Sequence, residues 1–103
     1  MPGGYTTLVE SVAKWGRDKG LDDPKAQLNK VLEEVGEIAH EITRNRYDSD
    51  ELFDAIGDTL VTVIILADIL DIDPMGALEE AYTVIMNRSG KTENGTFIKD
   101  EQD

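Results

Sequence analysis

A chain of 103 residues has room for one domain, and a net charge of −12 argues against a surface built for nucleic acid or anionic membrane. The absence of cysteine excludes disulfides and thiolate metal sites, so any metal must be held by oxygen or by the single His40. The apolar run near Leu60 to Leu70 is too short for a bilayer, and MPGGYTTLVESVAKWG lacks the basic start and unbroken apolar stretch of a signal peptide, so a cytoplasmic protein without a membrane partner is expected.

The periodicity predicts a first helix from about Tyr5 to Lys19, with Leu8, Val12 and Trp15 on one stripe and Gly20 as the stop. Asp23 then caps a second helix that starts at Pro24, where a missing N–H costs nothing, and runs to about Arg44 or Arg46. Leu28, Val31, Leu32, Val35, Ile38, Ala39 and Ile42 fall on one continuous apolar face of it. A third helix opens at RYDSDEL, with Asp48 as cap and Glu51 completing a capping box, and reaches about Leu70. It is apolar nearly all round beyond Leu60, which marks it as the central helix. Asp73-Pro74 repeats the cap-then-proline signal for a fourth helix ending near Asn87. From about residue 89 the chain reads as an extended tail, with turn chemistry at Asn94-Gly95 and Phe97 as its anchor.

Charge is unevenly placed. Ten acids and no Lys or Arg lie between Tyr47 and Asn87, whereas Arg88, Lys91 and Lys99 face only Glu93 in the segment that follows. On the second helix a stripe flanking the apolar face holds Gln27, Lys30, Glu34, Glu37 and Glu41, with Glu33 on the other side of Glu37. On the third, Glu51, Asp54 and Asp58 line up, and the line continues into Val61 and Ile65. Acids that run into apolar surface stand at the mouth of something buried. Two carboxylates meeting there repel and raise each other's pKa, and a divalent cation removes that penalty. Oxygen-only ligands from two facing helices suit Mg²⁺ or Mn²⁺. Gly36 and Gly57, each costing about 1 kcal/mol in a helix interior, fit two helices passing closely at such a site. Patterning alone leaves open the alternative that these acids form an ordinary solvated face.

LNKVLEEVGEIAHEI followed by LFDAIGDTLVTVIILADIL resembles the MazG-like nucleotide pyrophosphohydrolases, and NRSGKTENGTFIK resembles the tail of small members. The likeness runs from about Trp15 to Lys99 and implies an all-α, four-helix bundle with an extended tail, forming a single domain over residues 1–103. The family pattern is E-x-x-E on one helix and E-x-x-D on the next. It places metal ligands at Glu34, Glu37 and Asp58 and matches Glu33 to an extra Glu that many members carry. The family's remaining Glu falls on Ala55, and Asp54, one turn before Asp58, is the natural substitute.

The resemblance further implies Mg²⁺-dependent hydrolysis of nucleoside triphosphates to the monophosphate and pyrophosphate, with Glu33 or Glu37 activating water. Lys30, Arg88, Lys91 and Lys99 are the cations available to the triphosphate. Trp15 is expected in the core, with base stacking as its functional alternative, and Tyr82 in packing. His40 is expected on the surface, and Gln27 and Asn87 could touch a nucleotide but suit solvent as well. Exposed apolar surface on the third helix predicts a homo-oligomer, a dimer or tetramer. The competing reading is a catalytically idle acidic protein that binds a partner, for example by mimicking nucleic acid. A bundle-core di-iron site would need a pair of Glu-x-x-His motifs, and a chain with a single histidine has no such pair.

Overall fold

A computed structural model describes residues 4–100. Four helices, α1 (Gly4–Asp18), α2 (Pro24–Thr43), α3 (Asp50–Ile69) and α4 (Pro74–Met86), precede two short strands, β1 (Gly90–Glu93) and β2 (Thr96–Lys99). Asp23 caps α2 by accepting from Lys25 N at 3.0 Å, and Asp73 caps α4 by accepting from Met75 N at 3.1 Å. Ser49, not Asp48, caps α3 and accepts from Leu52 N at 3.0 Å. Both residues can cap a helix, and the serine is also held by a buried partner described below.

The central position of α3 is as expected, since α1, α2 and α4 all touch it. Its buried stripe is Leu52, Ala55, Thr62 and Ile65. Gly16 of α1 lies against Ile65, where a Cβ would sit 3.1 Å from that side chain, and Arg17 pairs with Asp68 at 2.6 Å. The close helix approach is therefore at Gly16. At Gly36 and Gly57 a Cβ would meet open space, and nothing among the described residues explains either glycine.

The second helix departs most from the sequence reading. Its buried residues are Gln27, Glu34 and Glu41, three polar side chains at seven-residue spacing. Leu28, Leu32, Val35 and Ile42 of its apolar face are instead 42–59 % exposed. A seven-residue repeat keeps side chains on one face of a helix, so α2 turns a polar seam inward, with Val31 and Ile38 half-buried beside it, and leaves the rest of its apolar stripe uncovered.

The predicted bundle is also incomplete. Contact between α3 and α4 is sparse, α4 has no buried residue, and the molecule has a radius of gyration of 16.2 Å where a compact domain of this length has about 13 Å. Its accessible surface is 7899 Å², against about 5,800 Å² for a typical monomer of 11.4 kDa.

The tail is a hairpin rather than an extended segment. Lys91 pairs with Ile98 and Thr92 with Phe97, and Asn94 and Gly95 both take positive φ, the backbone that a two-residue turn between strands requires. Phe97 is 49 % exposed, so it is not the buried anchor expected from the sequence.

Candidate metal and nucleotide site

The inward seam of α2 builds the site. Asp23 starts the helix and fixes its phase, so residues 27, 34 and 41 face α3 in succession. At the first level Gln27 Nε2 donates to the Thr62 carbonyl at 3.1 Å. That carbonyl lies within α3, and a carbonyl oxygen has two lone pairs, so it can accept Gln27 in addition to the helix's own bonding. At the last level Glu41 is 4 % exposed and accepts from Ser49 Oγ at 2.8 Å and from Arg46 at 3.4 Å.

Glu34 occupies the middle level and is 8 % exposed, and its Oε2 is buried with no hydrogen-bond partner. Burial pushes its carboxyl above the usual range, and the charges of Glu37, Asp58 and Glu33 push the same way while Lys30 opposes them. Glu33, Glu34 and Glu37 bring one carboxylate oxygen each within 4.8 Å of one another. A buried carboxylate oxygen with no donor, beside two further carboxylates, lacks positive charge, and a hard divalent cation supplies it. The donor set fits such an ion.

Beside this cluster lies a cavity of about 580 Å³. Glu34 and Asp58 line it together with Lys30, and Trp15, Leu21, Ala26, Val61 and Ile65 supply its apolar wall. The acid stripe of α3 thus does run into apolar lining, from Asp58 to Val61 and Ile65. Trp15 is not a core residue: it is 52 % exposed at this cavity, with Lys19 Nζ 5.9 Å from its ring centre. Among the described residues, those buried in α1 are Val9 and Gly16, not the predicted stripe, and Leu8 and Trp15 of that stripe are left exposed.

Of the residues singled out in the sequence, Glu33, Glu34, Glu37, Asp58, Lys30, Gln27 and Trp15 come together in the cluster or the cavity. Lys30 also lies 3.5 Å from Glu33. Asp54 is exposed and belongs to neither, and Ala55, where the family pattern has Glu, is buried at 2 %. Arg88, Lys91 and Lys99 sit on the α4–hairpin arm outside the cavity lining, with Lys91 paired to Glu93 at 3.2 Å. His40 is exposed, as expected, and so is Tyr82, at 57 %, which packs in no core of this chain. Asn87 caps α4 and donates its side-chain amide to the Thr83 carbonyl. The roles of Gln27 and Glu41 were not resolved by sequence; their seven-residue spacing with Glu34 was the available signal.

Among the described residues no helix is long and apolar enough to cross a membrane. Comparison with known proteins gives two relatives of uncharacterized function. The chain is 33 % identical over 63 residues to an uncharacterized 18.2 kDa protein of the rep–hol intergenic region of Haemophilus phage HP1, a match covering 58 % of this chain and 37 % of the phage protein. It is 29 % identical over 93 residues to the uncharacterized protein YpjD of Bacillus subtilis, covering 82 % of this chain and 79 % of that one. The chain thus spans little more than a third of the phage relative. No solved structure matches. Residues 22–94 match the family model of the MazG nucleotide pyrophosphohydrolase domain, which takes in the whole acidic cluster and the α2–α3 pair that carries it. This chain belongs to the MazG nucleotide pyrophosphohydrolase family.

Proposed function

We propose that the protein hydrolyses nucleoside triphosphates to the monophosphate and pyrophosphate at the Glu34 cluster, with Mg²⁺ as its natural cation and Mn²⁺ as a substitute. The observation that carries this reading is the buried, partnerless Oε2 of Glu34 beside Glu33 and Glu37 and next to an apolar cavity. Glu34, Glu37 and Asp58 would hold the ion, and Asp54 would join them only by a movement of its side chain. When bound, the cation supplies neutralisation of the charge that gathers on phosphate oxygens in the transition state.

The chain's own residues do the remainder. An exposed carboxylate of the cluster, Glu33 or Glu37, accepts a proton from water as the water oxygen bonds to the α-phosphorus. The bond from that phosphorus to the α,β-bridging oxygen breaks, and pyrophosphate leaves. Lys30, at the cavity wall, offers positive charge to a phosphate oxygen, and the apolar wall with Trp15 receives the nucleoside. The test is pyrophosphate release from a panel of nucleoside triphosphates, with loss of activity in EDTA and in Glu34→Gln.

A homo-oligomer, a dimer or a tetramer, belongs to the same proposal. Supporting it are the uncovered apolar stripe of α2, the 80 % exposure of Phe53 on α3, and a surface about 2,100 Å² larger than a monomer of this mass normally shows. That excess is of the order found in obligate subunit interfaces.

A further inference from the structure

The amide of Gln27 is oriented by its surroundings. The Thr62 carbonyl can only accept a hydrogen bond, so it is the Gln27 nitrogen that faces it, at 3.1 Å, and the amide oxygen is turned the other way. Gln27 is 93 % buried, given its exposure of 7 %, and it lines the 580 Å³ cavity. Its Oε1 is not among the fully enclosed, partnerless atoms, whereas Glu34 Oε2 is. Within the described residues this oxygen has no hydrogen-bond partner of its own, so it is a fixed acceptor at the cavity surface.

Its position relative to the acids sets what it can meet. Seven residues separate Gln27 from Glu34 along one helix face, about 10.5 Å. That is comparable to the reach from the α-phosphate of a nucleotide to the far edge of its base. Trp15 and Leu21 stand at the same cavity and offer apolar surface to a planar ring. A base lying there turns its edge to an acceptor that cannot become a donor, because rotating the amide would set Gln27 Oε1 against the Thr62 oxygen. An exocyclic amine satisfies that acceptor. An exocyclic carbonyl at the same place sets two acceptors against each other beside a side chain that is itself buried, which is costly.

We propose that Gln27 is a specificity residue of this cavity, selecting bases with an exocyclic amine, cytosine or adenine, over their oxo counterparts, uracil and hypoxanthine. The assignment rests on the reading that the cavity receives a nucleotide, and it is separable from the claim of hydrolysis. Trp15 is the only tryptophan of the chain and lines the cavity, so its fluorescence reports binding without turnover. Titration in EDTA with CMP and UMP, and calorimetric titration with AMP and IMP, gives the two matched ratios.

The amine member of at least one pair should bind about tenfold more tightly than its oxo member, and which pair shows it tells cytosine from adenine. In Gln27→Met, with helicity checked by circular dichroism, that ratio should fall towards unity. The wild-type ratios alone suffice if the variant does not fold. Equal binding within both pairs, preference for the oxo member, no binding of any of the four, or an unchanged ratio in Gln27→Met would each overturn the assignment. Selective binding without pyrophosphate release would sink the hydrolytic reading and leave Gln27 in place. Pyrophosphate release without amine preference would do the reverse.

Discussion

The Ser49 hydroxyl serves two helices at once: it donates to Glu41 of α2 at 2.8 Å while accepting from the Leu52 amide that starts α3. The α2–α3 pair that carries the acidic cluster is thereby closed at one end by a buried carboxylate and a cap. Ser49→Ala removes the cap and strips Glu41 of its best donor, so it should destabilise the protein by about 1–3 kcal/mol in denaturant unfolding. In a double-mutant cycle with Glu41→Gln the two effects should be non-additive, because both act on the same bond. Additive losses would mean that Ser49 acts only as a cap.

Glu34 gives a pH dependence whose sign can be worked out. Its carboxyl lies above the ordinary glutamate range in the folded state, chiefly through burial and then through Glu37 and Asp58. The native state therefore binds this proton more tightly than the unfolded chain, so its contribution is favourable at low pH. That contribution is lost as pH rises from the unfolded pKa through the raised one. At neutral pH and without metal, the charged Glu34 costs stability. Glu34→Gln should therefore raise the melting temperature of the metal-free protein at pH 7, and the gain should vanish near pH 4. The same variant should lose the stabilisation that added Mg²⁺ gives the wild type.

Asp58 and Asp54 share a helix stripe but not a setting. Asp58 lines the cavity and acts electrostatically on Glu34, whereas Asp54 is exposed and outside it. Asp58→Asn should weaken Mg²⁺ binding, measured calorimetrically, more than Asp54→Asn does. Equal losses would show that Asp54 swings in as a ligand. Ala55→Glu, which restores the family's pattern, places a carboxylate on the buried face of α3. It should lower the stability of the metal-free protein by about 1–3 kcal/mol, with recovery on adding Mg²⁺ if the new group reaches the ion.

Assembly is tested at the stripe that α2 leaves uncovered. Sedimentation should give a dimer or tetramer at micromolar concentration, and Leu32→Lys combined with Val35→Lys should shift it to smaller species of lower stability. These positions are 59 % and 45 % exposed in the single chain, so in a monomeric protein the same changes would be nearly neutral. A stable wild-type monomer would contradict the proposed assembly.

What could be read from sequence follows from where the signals are local. Pro24 and Pro74, each behind an aspartate, set two helix starts because cap chemistry and proline geometry need no tertiary partner. The choice between Asp48 and Ser49 was not legible, since it depends on Glu41 eight residues away. Asn94-Gly95 signalled a turn, but two four-residue strands with every residue exposed leave almost no hydrophobic alternation to read. The larger inversion is in α2. Apolar periodicity marks the stripe that avoids water, but it does not say whether this chain or another covers it. The acids Glu33, Glu34 and Glu37 were singled out by the family resemblance, since spacing alone fits a solvated face as well, whereas the continuation of Asp58 into Val61 and Ile65 was legible by spacing. That Gln27 is buried and held by a carbonyl of α3 required the helix pair itself.

The most direct measurement is a product analysis of purified protein with Mg²⁺ and a panel of nucleoside and deoxynucleoside triphosphates, separating monophosphate, diphosphate, pyrophosphate and orthophosphate. The account predicts monophosphate and pyrophosphate in equal amounts from at least one of them, abolished by EDTA and by Glu34→Gln in a variant that remains folded. No turnover across the panel with either Mg²⁺ or Mn²⁺, release of orthophosphate and diphosphate instead, or full activity in Glu34→Gln would contradict it.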